Sequence, residues 1–246
     1  MTQLAKPGSL ILAGWSTRDF TLRDLADYLE VLAPPIVEIS KDLLAGLSIK
    51  NVHELLKAHG ARCGHPIVSF AGTTDLTTCA GLSWNAYFDY LRIQQAQARF
   101  LGSRYFRLFA GETKDFAESE LLTRLNAVEQ LFAPTILVVE LHGGWESTPA
   151  HLRTLVASTP CLFVVDFANG LSCGLSYVEL SEVIPGRRIA YFHSRNLGGR
   201  YIEDTDSVGE EARWRARHPD IPVLWEPKYL SAQRIKELAD GARTTH

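Results

Sequence analysis

Nearly continuous apolar runs recur along this chain about every 30 residues, the length of one strand-plus-helix unit. Such runs are typical of parallel strands that are covered on both faces. The eight predicted strands span residues 9–16, 35–40, 66–72, 104–111, 135–141, 161–168, 188–194 and 222–226.

The segments between these runs carry apolar residues at helical spacing, with polar residues on the remaining faces. Thr148 followed by Pro149 predicts a helix that starts with an N-cap and a proline in its first turn. The predicted helices span residues 22–29, 48–59, 84–101, 119–131, 148–157, 175–184 and 231–239.

Eight strands that alternate with helices predict a closed (β/α)8 TIM barrel. The sequence has no linker rich in Pro, Gly or Ser, so we expect one domain over residues 1–246. An open doubly wound sheet is the alternative architecture. It requires a glycine fingerprint after the first strand, and Gly14-Trp15-Ser16-Thr17 does not match that pattern.

Glu140, Asp166, His193 and Glu226 stand at the ends of the last four predicted strands. The carboxyl ends of the strands share one face of a barrel, so these side chains can converge. Clustered carboxylates repel one another, and a divalent cation removes that difficulty. Three oxygen ligands and one imidazole favour Mn²⁺, Mg²⁺ or Co²⁺, with Zn²⁺ also open. The competing interpretation is that a backbone cap or an arginine satisfies each acid separately.

The composition of the chain says more about its binding partners than about its reaction. Apolar residues make up 46% of the chain and charged residues 22%, and the formal net charge is -3. This balance argues against a nucleic-acid or anionic-membrane partner. The polar N-terminus and the lack of a long apolar run lead us to expect a cytoplasmic protein with a small-molecule substrate. A homo-oligomer stays open.

Short motifs around the strand ends resemble the sugar phosphate isomerase/epimerase superfamily, the xylose isomerase-like TIM barrels. The segment Val-Glu-Leu-His-Gly-Gly is similar to the Glu-Asn-His-Gly segment of that family, and Phe-His-Ser-Arg-Asn is similar to its His-x-Lys-Asp. The resemblance covers nearly the whole chain. The segments that carry it are residues 36–39, 106–111, 139–144, 165–169, 192–196 and 225–227.

The resemblance implies that Glu140, Asp166, His193 and Glu226 hold the metal and that the two glutamates also transfer protons. The expected activity is isomerisation or epimerisation of a sugar or hydroxy-keto compound through an enediolate. Deprotonation beside a leaving hydroxyl would instead make the protein a lyase, such as a dehydratase. An AP-endonuclease-type hydrolase is less favoured, because it needs histidines that the first four strand ends lack.

The sequence departs from the family pattern in two segments. Asn169 replaces a histidine that many members carry after the aspartate of strand six. It can bind substrate through hydrogen bonds, but it cannot act as a general base. Arg195 and Asn196 replace the Lys-x-Asp pattern after His193. These differences favour a specialised substrate or an elimination reaction.

Further candidates for substrate binding surround this site. His142 lies two residues after Glu140, on the same face of a strand, so it either contacts substrate or supports the site from behind. Arg107 either clamps an anionic group or forms an ion pair with Glu140 or Glu38. Glu38 either orients substrate or pairs with Arg107. The basic loop that starts at Arg195 either binds an anion or is simply solvated.

Overall fold

Eight parallel strands close into a barrel in the computed structural model of the chain. Successive strands pair in chain order, and the first strand also pairs with the last. The strands are β1 (Leu10–Leu12), β2 (Ile36–Ser40), β3 (Ile67–Asp75), β4 (Tyr105–Phe109), β5 (Ile136–Glu140), β6 (Leu162–Asp166), β7 (Ile189–Ser194) and β8 (Val223–Trp225). The structure describes residues 10–12, 21–34, 36–111, 115–144, 148–166, 169–170, 174–194, 213, 216–225, 233 and 237.

Helices connect the strands and cover the outside of the barrel. Within the described ranges, no helix is long and apolar enough to cross a bilayer. The α-helices that lie within the described ranges are α1 (Leu22–Leu32), α2 (Lys41–Gly46), α3 (Ile49–Cys63), α4 (Trp84–Phe100), α5 (Glu118–Phe132), α6 (Pro149–Ser158) and α7 (Tyr177–Val183).

The closed barrel confirms the predicted fold class and rules out the open sheet. The N-cap of α6 is also confirmed, because the Thr148 hydroxyl accepts a hydrogen bond from the backbone N–H of His151 at 3.3 Å. The pattern did not predict α2, which begins directly after β2 where Ser40 caps the backbone N–H of Leu43. Its few residues are too short to show a helical period.

The strand bounds differ from the predicted ones mainly at β3. This strand continues to Asp75, which pairs with Phe109 of β4 beyond a register shift. The threonines and glycine of that extension broke the apolar pattern on which the prediction rested. Most of the predicted helix at 231–239 and the end of the predicted strand at 9–16 lie outside the described residues.

Alternation along the strands separates two apolar layers. One large cluster lies between the sheet and the helices, with Val37, Ile39 and Phe70 among its buried members. A second cluster collects residues from strands around the whole barrel and fills its interior. Its buried members are Ile36, Tyr105, Val138, Val164, Ala190, Tyr191 and Leu224.

Candidate metal centre

A polar layer lies above the apolar interior, toward the carboxyl ends of the strands. Each of its residues stands two positions after a member of the inner cluster and therefore faces the same side of the sheet. None of them is more than 8% exposed. The layer consists of Glu38, Arg107, Glu140, Asp166 and His193.

Three of the four predicted metal ligands converge in this layer. Glu140 ends β5, Asp166 ends β6, and His193 is the register partner of Asp166 on β7. One potential ligand atom from each residue lies within 4.8 Å of the other two. The fourth predicted ligand, Glu226, lies outside the described residues, as does Arg195.

The geometry of these three residues fits a divalent ion. Metal–ligand bonds of about 2.1 Å place two donor atoms no more than about 4.2 Å apart. The observed spread of 4.8 Å therefore closes with a small inward movement of one side chain. Nδ1 of His193 lies 3.2 Å from Oε1 of Glu140, close to the separation expected for two adjacent ligands. Two carboxylates and an imidazole suit several hard or borderline ions.

Arg107 joins two carboxylates in the polar layer. Its Nε donates a hydrogen bond to Oε2 of Glu38 at 3.0 Å, and its Nη1 donates to Oε2 of Glu140. The structure thus contains the ion pairs that were one of the two alternatives for Arg107. Glu38 has no exposed surface and the side chain of Arg107 is only 9% exposed, so substrate contact by either residue stays a prediction.

Two residues that contact the polar layer were missed from the sequence. The Tyr191 hydroxyl donates a hydrogen bond to Oε2 of Glu38 at 2.7 Å, and the Ser69 hydroxyl lies 2.8 Å from the Tyr191 hydroxyl. Tyr191 stands two residues before His193, and Ser69 is the register partner of Glu38. Polar groups at inward positions of apolar strands were the signal that could have identified both.

Attraction between opposite charges has more effect than burial on the pKa values of the glutamates and the histidine in this cluster. Burial opposes ionisation of Glu38, but Arg107 and His193 lower its pKa to about 2. Burial likewise opposes ionisation of Glu140, and the same two cations lower the pKa of its carboxyl. Burial disfavours an imidazolium at His193, yet Glu140 and Glu38 raise its pKa to about 10. Without a metal ion, His193 is therefore a positively charged imidazolium, protonated on both nitrogens, at neutral pH.

Metal binding at pH 7 is expected to release about one proton per ion, because the His193 imidazolium must lose a proton to become a ligand. Since the pKa of His193 is raised to about 10, affinity should increase with pH by roughly tenfold per unit below that value. Calorimetric titration in buffers of different ionisation enthalpy measures the release. The His193→Gln variant should release none at this position, and a wild-type release near zero would contradict the prediction.

Asn169 connects the metal cluster with His142. Its backbone N–H donates to Oδ1 of Asp166 at 3.0 Å. Its side-chain nitrogen lies 3.2 Å from the carbonyl oxygen of Leu141 and 3.1 Å from Nδ1 of His142. An amide nitrogen only donates, so Nδ1 of His142 accepts and its proton is on Nε2. The ring of exposed His142 also packs against Phe109, with 4.4 Å between centroids.

Solved structures with the same architecture cover almost the whole chain. No family model matches the sequence, and no curated protein matches it. A xylose isomerase domain protein from Salmonella typhimurium LT2 has a TM-score of 0.73 at 14% identity, over 98% of both chains. The chain has the fold of the xylose isomerase-like TIM barrels. The resemblance inferred from the strand-end motifs is thereby confirmed for the fold.

Two other structures with this fold are similar to the chain. The probable 3-DHS dehydratase AsbF from Bacillus anthracis has a TM-score of 0.73 at 14% identity, over 95% of this chain and 97% of its own. The IolI protein, solved with a bound zinc atom, has a TM-score of 0.69 at 14% identity, over 96% of this chain and 97% of its own. At this identity the similarity concerns the fold, and the chemistry must be argued from the residues.

Proposed function

We propose that this protein is a metal-dependent isomerase or epimerase that acts on a small polyhydroxy or keto compound. The observation that supports the proposal best is the convergence of Glu140, Asp166 and His193 at the mouth of the barrel, within 4.8 Å. Glu226 is the proposed fourth ligand. In the sequence it stands two residues after Leu224, a member of the inner cluster, so alternation predicts that it faces the same side.

A bound divalent ion would act as a Lewis acid on neighbouring hydroxyl and carbonyl oxygens of the substrate and acidify the C–H bond between them. Glu140 and Glu226, the two glutamates proposed to transfer protons, differ in how well each can act as a base. Oε2 of Glu140 is held by Arg107, and its pKa is lowered, so Glu140 is a weak base. We therefore assign the larger share of proton abstraction to Glu226 and regard Glu140 chiefly as a ligand.

His142 is the proposed hydrogen-bond donor to the substrate beside the metal. Asn169 and Phe109 restrain its ring, and Nε2 carries the proton. Its exposed position at the end of β5 lets it meet a substrate oxygen that faces the barrel mouth. A group that stabilises charge on a substrate oxygen needs a fixed position and a directed N–H, and the contacts of the His142 ring support both features.

Elimination of water is the second candidate reaction. Asn169, which stands where many members of the similar family carry a basic histidine, favours it because fewer groups are left to return a proton to carbon. In that reaction Glu226 removes the proton next to the carbonyl and returns it to the leaving hydroxyl of the adjacent carbon, which departs as water, while the N–H of His142 donates a hydrogen bond to that oxygen.

Proton exchange in D₂O distinguishes these reactions. Mg²⁺- or Zn²⁺-loaded protein would be incubated with ketoses, keto-polyols and cyclic hydroxy-keto acids and followed by NMR. Deuterium in a rearranged product supports an isomerase or epimerase, whereas an unsaturated product supports a lyase. Absence of both across the panel, with metal bound at one ion per chain, would argue against the proposed reaction class.

Replacing His142 by glutamine is expected to lower kcat by about 100-fold or more, the usual effect of losing a positioned hydrogen-bond donor to a developing oxyanion. The metal affinity should not change, because His142 lies outside the group of three ligands. Steady-state kinetics on a substrate identified by that NMR screen, together with calorimetric metal titration, measures both quantities. His151, another described histidine on the first turn of α6, provides a matched control as His151→Gln. An unchanged kcat would show that His142 does not stabilise the reacting oxygen.

A further inference from the structure

The two ring nitrogens of His193 have different surroundings. Nδ1 faces the ligand cluster, 3.2 Å from Oε1 of Glu140. Nε2 is buried and has no hydrogen-bond partner in the part of the chain that the structure describes. The charged group opposite Nε2 is the carboxylate of Glu38, whose Oε2 lies 3.8 Å away.

Glu38 is held rigidly where it faces this nitrogen. Arg107 and the Tyr191 hydroxyl donate to its Oε2 at 3.0 and 2.7 Å, and the Ser69 hydroxyl lies 3.5 Å from the same atom. Its other oxygen, Oε1, is buried and lacks a partner among the described residues, so the carboxylate has unused capacity to accept a hydrogen bond. Glu38 does not belong to the group of three potential ligands. It lies behind them.

We propose that Glu38 is a positioning residue of the metal centre, whose carboxylate accepts the Nε2–H of His193 and thereby directs Nδ1 toward the ion. This inference rests on the proposed metal site. A neutral imidazole carries one N–H, and its placement on Nε2 leaves the lone pair of Nδ1 available for coordination. Ligating histidines commonly donate their second N–H to a carboxylate, which fixes the ring and increases its basicity as a ligand.

The distance of 3.8 Å requires only a small adjustment. A tilt of the imidazole that moves Nε2 by less than about 1 Å brings it within hydrogen-bond range of Glu38. Such a tilt also alters the distance between Nδ1 and Glu140. Arg107 completes the arrangement, because it holds Oε2 of Glu140 from behind and leaves Oε1 to face the cluster. After this adjustment, the outer atoms of both ligands would be bound to one buried ion pair, Arg107 and Glu38.

The test compares the Co²⁺ and Zn²⁺ affinity of chelator-treated wild type with that of Glu38→Gln, by calorimetric titration. Loss of such an outer partner is expected to weaken binding about 10- to 100-fold. Tyr191→Phe removes one hydrogen bond to Glu38 without a change of charge, and a smaller weakening is expected. Asp75→Asn is the control, because Asp75 also ends a strand but bonds to Thr77 and Thr78 and should leave the affinity unchanged.

A spectroscopic measurement separates positioning from general destabilisation. In the Co²⁺-loaded protein, the exchangeable Nε2–H of His193 should give a paramagnetically shifted proton signal that is absent from His193→Gln. Glu38→Gln should move this signal and accelerate its exchange with water. Wild type that binds no ion would defeat the proposed function itself. Wild type that binds, with unchanged affinity and signal in Glu38→Gln, would overturn only this inference. If Glu38→Gln does not fold, the same two measurements on Tyr191→Phe decide.

Discussion

Replacing Arg107 by methionine is expected to destabilise the metal-free protein by about 3–5 kcal/mol, because it leaves two buried carboxylates without their shared cation. The side chains of Glu38 and Glu140 are 0% and 6% exposed, so water cannot take over the role of the guanidinium. Methionine keeps the length and much of the volume of the side chain, so the loss reflects charge more than packing. The free energy of unfolding from urea titration measures the effect.

The chain offers a matched control on its surface. Arg92 donates to Asp89 at 3.0 Å, and both side chains are more than half exposed, at 61% and 70%. Arg92→Met should cost no more than about 1 kcal/mol, because solvent screens this pair. Adding Glu140→Gln to Arg107→Met should recover part of the stability, since it removes one unpaired charge. If Arg107→Met destabilises the protein no more than Arg92→Met, the buried carboxylates must be neutral or hydrated.

Replacing Asp166 by asparagine is expected to weaken divalent-metal binding by more than about 100-fold, beyond the effect of losing an outer partner. The amide has no negative charge and is a poor ligand for a hard cation. Its oxygen can still accept the backbone N–H of Asn169, which Oδ1 of Asp166 accepts at 3.0 Å, so the local structure should persist. The loss would therefore be specific to the metal.

Elemental analysis after dialysis against Mn²⁺, Mg²⁺, Co²⁺ or Zn²⁺ would measure the bound ion in wild type and in Asp166→Asn. Because a ligand that binds only the folded state stabilises it, the metal should also raise the Tm of wild type and leave that of the variant nearly unchanged. Asp75→Asn again serves as the strand-end control and should behave like wild type. Stoichiometric metal in Asp166→Asn would exclude Asp166 as an essential ligand.

The barrel could be predicted from the sequence because the strands of this fold appear in it as recurring apolar runs. Strands buried on both faces are apolar throughout, and the runs that end at Glu140, Asp166 and His193 are interrupted only where the barrel opens. Chain order and parallel closure then bring these ends together. Three of the four predicted ligands could be located in this way, and the fourth, Glu226, stays a prediction.

Only the tertiary structure showed which partners Arg107, Glu38, Tyr191 and Ser69 bind. The sequence shows that an arginine stands at a strand end. Whether that arginine binds a substrate or pairs with a carboxylate depends on distances across the barrel. Glu38 and Tyr191 are 153 residues apart, and their hydrogen bond exists because β2 and β7 face each other across the barrel interior. Burial of the strands and helices produces a periodic pattern of apolar residues in the sequence. Pairing between side chains on opposite sides of the barrel produces no such pattern.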